Sequence, residues 1–152
     1  MNKYLLDVYN PFKVEFLYGK GSTLFDKKGN DYIDFTSGIG VSCLGHGNKK
    51  LVETISKQAK KFLHLSNIYP INTQEECAKK VAALSGYKNM QGFFCNSGAE
   101  ANETAIKFIR KYAKSKGIKK HNIITLENSF HGRTIATLNA TGQKDKQLGF
   151  EP

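Results

Sequence analysis

With 152 residues, 39% of them hydrophobic, and a mean hydropathy of −0.45, the chain is long enough for one domain but lean in apolar side chains for a sheet covered on both faces. Its net charge is +10, yet only two of the 23 basic residues are arginines, Arg110 and Arg133, which argues against a nucleic-acid reader built on bidentate guanidinium forks. Cys43, Cys77 and Cys95 lie far apart with no CxxC pair, so neither a disulfide framework nor a zinc site is indicated, and a reducing cytoplasm fits best.

In chain order, Met1 to Asp7 has an early acid and no long apolar run, the pattern of neither a signal peptide nor a membrane span. Thr23-Leu24-Phe25-Asp26 and Asp31-Tyr32-Ile33-Asp34-Phe35 flank Lys27-Lys28-Gly29-Asn30 and predict a β-hairpin with a glycine turn. Gly38, Gly40, Gly45 and Gly47 mark a loop, because no strand-glycine-helix unit with GxGxxG spacing accompanies them. Within it Cys43 and His46 have a metal-like gap but no second pair, and packing is the reading that follows. Leu51, Val52, Ile55, Ala59 and Phe62 recur at helical spacing. Thr73 and Glu76 predict a capping box for a helix through Leu84, stopped by Gly86. An apolar run at 92–95 predicts a strand, and Ala105, Ile106, Ile109, Tyr112 and Ala113 form the stripe of a helix opening near Gly98. A second strand at 122–126 would complete a βαβ unit with a parallel pair and a right-handed crossover. The lysines, such as Lys57, Lys60 and Lys61 or Lys111, Lys114, Lys116, Lys119 and Lys120, spread along helix faces as a solvated surface does.

Two junctions carry the chemistry. In Cys95-Asn96-Ser97-Gly98-Ala99-Glu100 an apolar run breaks at a polar turn and restarts as a helix, so the first N–H groups of that helix point out of the turn at the positive end of its dipole. With the Ser97 hydroxyl beside them and small residues in the first turn, a dianionic phosphate is the natural ligand, though Ser97 or Asn96 as an ordinary N-cap accounts for the same residues. Downstream, Ser129-Phe130-His131-Gly132-Arg133-Thr134 follows the run Ile123 to Leu126. Phe130 offers a flat face to a ring, Gly132 a tight turn and Arg133 a planar fork for a carboxylate or phosphate. Both motifs lie past strand ends, where ligands gather in open α/β sheets.

The segments Phe93 to Glu103 and Ser129 to Thr134 resemble the class III, pyridoxal-phosphate-dependent aminotransferases, and their acetylornithine branch in particular. Gly21 to Asp26, Tyr32 to Val41, Leu44-Gly45-His46 and Ser66 to Tyr69 follow that family's order, so the resemblance covers nearly the whole chain. It implies an α/β fold, the N-terminal part of a fold type I transferase, with residues 1–46 as an N-terminal segment bearing the hairpin and 47–152 as the first part of the large cofactor-binding domain. It implies pyridoxal 5'-phosphate as cofactor, its phosphate seated by Ser97, Gly98 and Ala99 and its ring stacked on Phe130, with Arg133 taking the substrate α-carboxylate. Glu103 matches the family's acidic position on the following helix. His131, beside the stacking residue, is either a general base or a shape-filling neighbour.

The resemblance also implies that the Schiff-base lysine and the aspartate at the ring nitrogen lie beyond Pro152, leaving no catalytic residue within 1–152. The expected function is transfer of the amino group of N-acetylornithine to 2-oxoglutarate in arginine biosynthesis, by a cytoplasmic homodimer with neither a nucleic-acid nor a membrane partner. The segment Asn67 to Tyr69 looks like part of the subunit interface. Alternatives are a related member acting on ornithine, succinylornithine or 4-aminobutyrate, or an inactive module that only binds the cofactor phosphate or forms an interface. Where the family commonly continues Gly-His with a histidine-proline pair, this chain has Gly47-Asn48-Lys49, which leaves the entry to the next helix open.

Overall fold

The computed structural model describes residues 4–120 and 122–150 and divides into two compact units, Met1–Pro70 and Ile71–Pro152. The expectation on Met1 to Asp7 falls partly outside the described residues, since these begin at Tyr4.

In the first unit the expected hairpin is present as β2 (Thr23–Asp26) and β3 (Asp31–Ile33), and an additional strand, β1 (Phe16–Lys20), extends it to a three-stranded antiparallel sheet in the order β1-β2-β3. Gly21 and Ser22 are the two-residue connection that makes the first hairpin, with Gly21 at φ 59. Tyr18 stacks on Phe25 at 4.6 Å between ring centres, and Phe16 meets Tyr32 edge-on at 5.4 Å. Asp26, at the start of the β2–β3 turn, accepts hydrogen bonds from the N–H groups of Lys28 and Asn30, the Asn30 amide and the Tyr32 hydroxyl. These donors, the Asn30 side chain foremost, lower its pKa although burial opposes them.

The glycine-rich loop holds a short helical turn, α1 (Ser37–Gly40), that runs left-handed: Ser37, Gly38, Ile39 and Gly40 have φ 46, 60, 63 and 80. Two of these four are not glycine, at a typical cost of about 1–2 kcal/mol each. The turn is tethered by Asp34, whose Oδ1 accepts from the Thr36 N–H, the Thr36 hydroxyl and the Ser37 N–H, while His46 Nε2 lies 2.8 Å from Oδ2. Helix α2 (Lys49–Ala59) then starts at Asn48, whose side chain accepts from the Leu51 N–H at 3.0 Å. An asparagine N-cap thus settles the entry to this helix.

In the second unit α3 (Asn72–Ser85) ends on Gly86 in the left-handed conformation, as expected, but the Thr73–Glu76 capping box does not form. The helix begins before Thr73, with Ile71 at the N-cap, so the hydroxyl sits inside the first turn and cannot reach the orphan N–H groups. Helix α4 (Gly98–Ser115) follows, then the short α5 (Ile135–Ala140), which packs on α4, and α6 (Lys144–Gln147), which packs on α5. Among the described residues of this unit the buried hydrophobic ones are Ile106, Ala113 and Leu138, joined by Thr137 and Thr141. Residues 92–95 and 122–126 form no ladder, with each other or with any described segment, so the parallel pair is not made. A βαβ pattern predicts two strands of one sheet, not two neighbours, and a strand without an adjacent partner has nothing to hydrogen-bond. Among the described residues no helix is long and apolar enough to cross a membrane.

Candidate cofactor and substrate site

The polar turn before α4 folds as its residue types dictate. Ser97 is the N-cap in extended conformation, and its hydroxyl accepts from the Glu100 N–H at 3.2 Å. Glu100 reaches back to the Asn96 N–H at 2.7 Å and to the Asn96 amide, which places an acid in the first turn and closes the entry loop. Gly98 and Ala99 occupy the first two helical positions, so their N–H groups have no intrahelical acceptor. Gly98 is exposed, and nothing lies within 4 Å of where a Cβ on it would sit. The result is an open helix start on which two backbone donors remain for an anion.

The second motif lies against the same helix. Gly132 is buried with φ 140, and a Cβ placed on it would sit 2.8 Å from the Ala99 Cβ and 2.5 Å from the Thr137 hydroxyl. Only a glycine permits that approach, which brings the 129–134 loop against the first turn of α4. Asn102, one turn further along α4, donates to the His131 carbonyl at 2.8 Å, and the Thr134 hydroxyl donates to Glu103. The His131 N–H donates to the hydroxyl of Thr141, which is 1% exposed, at 3.0 Å. Thr134 is the N-cap of α5, and its N–H donates to the wholly buried Thr137 hydroxyl at 3.1 Å.

Among the five residues proposed from the sequence, Ser97, Gly98 and Ala99 form the helix start, while Phe130 and Arg133 project from the loop fastened to it. Phe130 is 56% exposed, and the Arg133 guanidinium carbon lies 5.5 Å from its ring centre, a cation–π distance. The His131 imidazole has one polar neighbour, the Ser129 hydroxyl at 3.4 Å, and no carboxylate partner among the described residues. His46, paired by spacing with Cys43 in the sequence, instead meets Asp34, and no group of three or more potential metal ligands occurs among the described residues. Asn102 was missed by the sequence reading. The signal was there, since Asn102 and Glu103 stand three and four residues after Ala99 and so share its face of the helix.

Comparison with known proteins supplies the context of this arrangement. The family profile described as aminotransferase class-III matches residues 7–152. Acetylornithine aminotransferase of Wolinella succinogenes is 52% identical over 152 residues, covering 99% of this chain and 38% of that protein, and its counterpart in Aquifex aeolicus is 48% identical over 149 residues, covering 98% and 39%. The chain therefore spans under two fifths of the length of these relatives. Among solved structures, an aminotransferase of Bacillus anthracis superimposes with a TM-score of 0.89 at 30% identity, covering 98% of this chain and 34% of that one. N-acetylornithine aminotransferase of Stenotrophomonas maltophilia does so with a TM-score of 0.74 at 40% identity, covering 80% and 34%. The fold is that of an N-terminal part of these α/β enzymes, and with a profile match running from residue 7 to residue 152 the chain belongs to the class-III aminotransferases.

Proposed function

We propose that this chain contributes the cofactor-phosphate seat and the α-carboxylate fork of a pyridoxal-phosphate-dependent subunit that transfers the amino group of N-acetylornithine to 2-oxoglutarate, in arginine biosynthesis. The observation that carries the reading is the contact of Gly132 with Ala99, which sets an anion-ready helix start and the Phe130–Arg133 loop side by side. The choice of amino donor rests on the relatives, which are named acetylornithine aminotransferases at about half identity. A cytoplasmic homodimer is part of the same proposal. So is the division into an N-terminal segment, 1–46, and the beginning of the large domain from residue 47.

The residues fit the cofactor. Gly98 and Ala99 offer two N–H donors to a phosphate with open space beside them, and the Ser97 hydroxyl, which accepts from Glu100, can still donate to it. Phe130 is more than half exposed, which leaves its ring accessible for a pyridine ring to stack on. Pyridoxal phosphate, when bound, supplies the electron sink that stabilises charge at the substrate Cα. The chain's own part is to hold the phosphate by backbone dipoles, to fix the ring plane on Phe130 and to orient the substrate through Arg133, whose two parallel N–H groups match a carboxylate. Both an amino-acid donor and a 2-oxo-acid acceptor present that carboxylate, so one fork serves both half-reactions.

The test uses the protein as its gene encodes it. Gly98→Val should fold normally, since the space beside Gly98 is open, yet lose cofactor because the branched side chain fills the phosphate's place. Arg133→Lys should keep the cofactor and lower kcat/KM for both acetylornithine and 2-oxoglutarate by roughly ten- to a hundredfold, the range for a lost charge-assisted hydrogen bond. Unchanged cofactor retention in the first variant, or normal efficiency with both substrates in the second, contradicts the assignment. A polypeptide of only these 152 residues is expected to form no acetylornithine-dependent glutamate.

A further inference from the structure

Resting on that cofactor reading, we infer that Asn102 is a positioning residue: through the His131 peptide it holds Phe130 and Arg133 at a set distance from the phosphate turn. Ala99, Asn102 and Glu103 occupy one face of α4, and each engages a different residue of the 129–134 loop. Ala99 abuts Gly132, Asn102 donates to the His131 carbonyl at 2.8 Å, and Glu103 accepts from the Thr134 hydroxyl. The helix that presents the phosphate donors at its first turn therefore grips, one turn later, the loop that carries the ring platform and the fork. A rigid helix fixes the spacing between those two turns.

The contacts are not equivalent. Thr134 keeps a second partner if Glu103 is removed, because the Thr137 hydroxyl stands 2.7 Å from its own. The His131 carbonyl receives no other donor among the described residues, so its tie to α4 depends on the Asn102 amide. On the other side of the same residue, the His131 N–H is held by Thr141 at the far end of α5. His131 is thus clamped through both backbone groups, directly after Phe130 and two residues before Arg133. With Asn102 removed, the loop stays attached to α5 and still touches α4 through Gly132 and Thr134, but the His131 peptide between Phe130 and Arg133 loses its tie to the helix of the phosphate turn.

The experiment compares wild type, Asn102→Leu and Gly98→Val in the protein as its gene encodes it, with two probes, pyridoxal 5'-phosphate and inorganic phosphate. Asn102→Leu should bind inorganic phosphate within about twofold of wild type but pyridoxal 5'-phosphate about tenfold more weakly. The visible circular dichroism per bound cofactor should fall, because the ring loses its fixed orientation on Phe130. Wild-type affinity and dichroism in Asn102→Leu overturn the inference, as does an equal weakening of both probes with a lowered melting temperature, which marks a general structural role. Failure of wild type to bind either probe, or full cofactor affinity in Gly98→Val, removes the cofactor reading itself and the inference with it. If Asn102→Leu does not accumulate as folded protein, Asn102→Asp, which keeps the shape but has no amide to donate to the His131 carbonyl, should show the same split between probes. Glu103→Gln, which keeps an acceptor for Thr134, should restore wild-type behaviour, and the absence of either result counts against the positioning role.

Discussion

Gly98 and Gly132 show how differently one residue type can be required. At Gly98 an added methyl would meet nothing within 4 Å, so the fold does not need a glycine there and any demand for it comes from a ligand. At Gly132 the same methyl would overlap the Thr137 hydroxyl and the Ala99 methyl, at a φ of 140 that side chains rarely adopt. Thr137 is fully buried and its hydroxyl is already engaged with Thr134, so it cannot move aside cheaply. Gly132→Ala should therefore cost about 2–3 kcal/mol in urea unfolding, from overpacking and backbone strain together. Gly98→Ala should stay within about 0.5 kcal/mol of wild type. A Gly132→Ala loss as small as that of Gly98→Ala would show that the loop is not wedged against α4. The sequence marked Gly132 only as a tight turn, because Ala99, against which it packs, is distant from it along the chain.

At the scale of elements, the left-handed turn α1 is held by a single carboxylate. The His46 ring bonded to Asp34 is the largest cause of a pKa drawn from an ordinary 3.8 down to about 2, with the Thr36 hydroxyl and the Ser37 N–H adding to it. A carboxyl whose folded pKa is lowered stabilises the folded state fully above its unfolded value, and that contribution disappears as the pH falls through the folded one. The Asp34 contribution is therefore complete above about pH 4 and gone near pH 2. Asp34→Asn should increase amide hydrogen exchange at Thr36 and Ser37 at pH 6, and the difference from wild type should shrink between pH 4 and pH 2. A difference that persists unchanged at pH 2 would mean that Asp34 acts by shape and not by charge. The elements themselves follow local rules. The Ser97 cap, the Gly86 stop and the glycine turn of the hairpin are each set by residues within a few positions of one another, which is why they are legible in the sequence, whereas the sequence reading left the entry to α2 open and the structure places Asn48 there as the cap. The left-handed turn is not, since its sequence, Ser-Gly-Ile-Gly, permits a loop, and this one is held by the Asp34 contacts together with the turn's own backbone hydrogen bonds.

Over the whole molecule, each of the two units leaves large apolar side chains uncovered. The apolar stripes read from the sequence do form helices, but Leu51, Val52 and Ile55 of α2 and Ile109 and Tyr112 of α4 remain exposed, and only Ile106 and Ala113 of the α4 stripe are buried. A polypeptide of these 152 residues alone should bind an apolar fluorescent dye such as anilinonaphthalene sulfonate and unfold over a broad temperature range. A sharp transition without dye binding would show that these residues build a sufficient core by themselves. Periodicity and capping chemistry act within a turn or two of chain, so the sequence by itself determined the β2–β3 hairpin, the helices α2, α3 and α4, the polar turn that opens α4 and, through its two motifs, the family. Burial and strand pairing need surfaces distant along the chain. Only the tertiary structure decided that residues 92–95 and 122–126 do not pair, that the stripe of α4 is partly bare, and that Ala99, Asn102 and Glu103 together grip the loop bearing Phe130 and Arg133, because each of these depends on which distant groups come within contact distance.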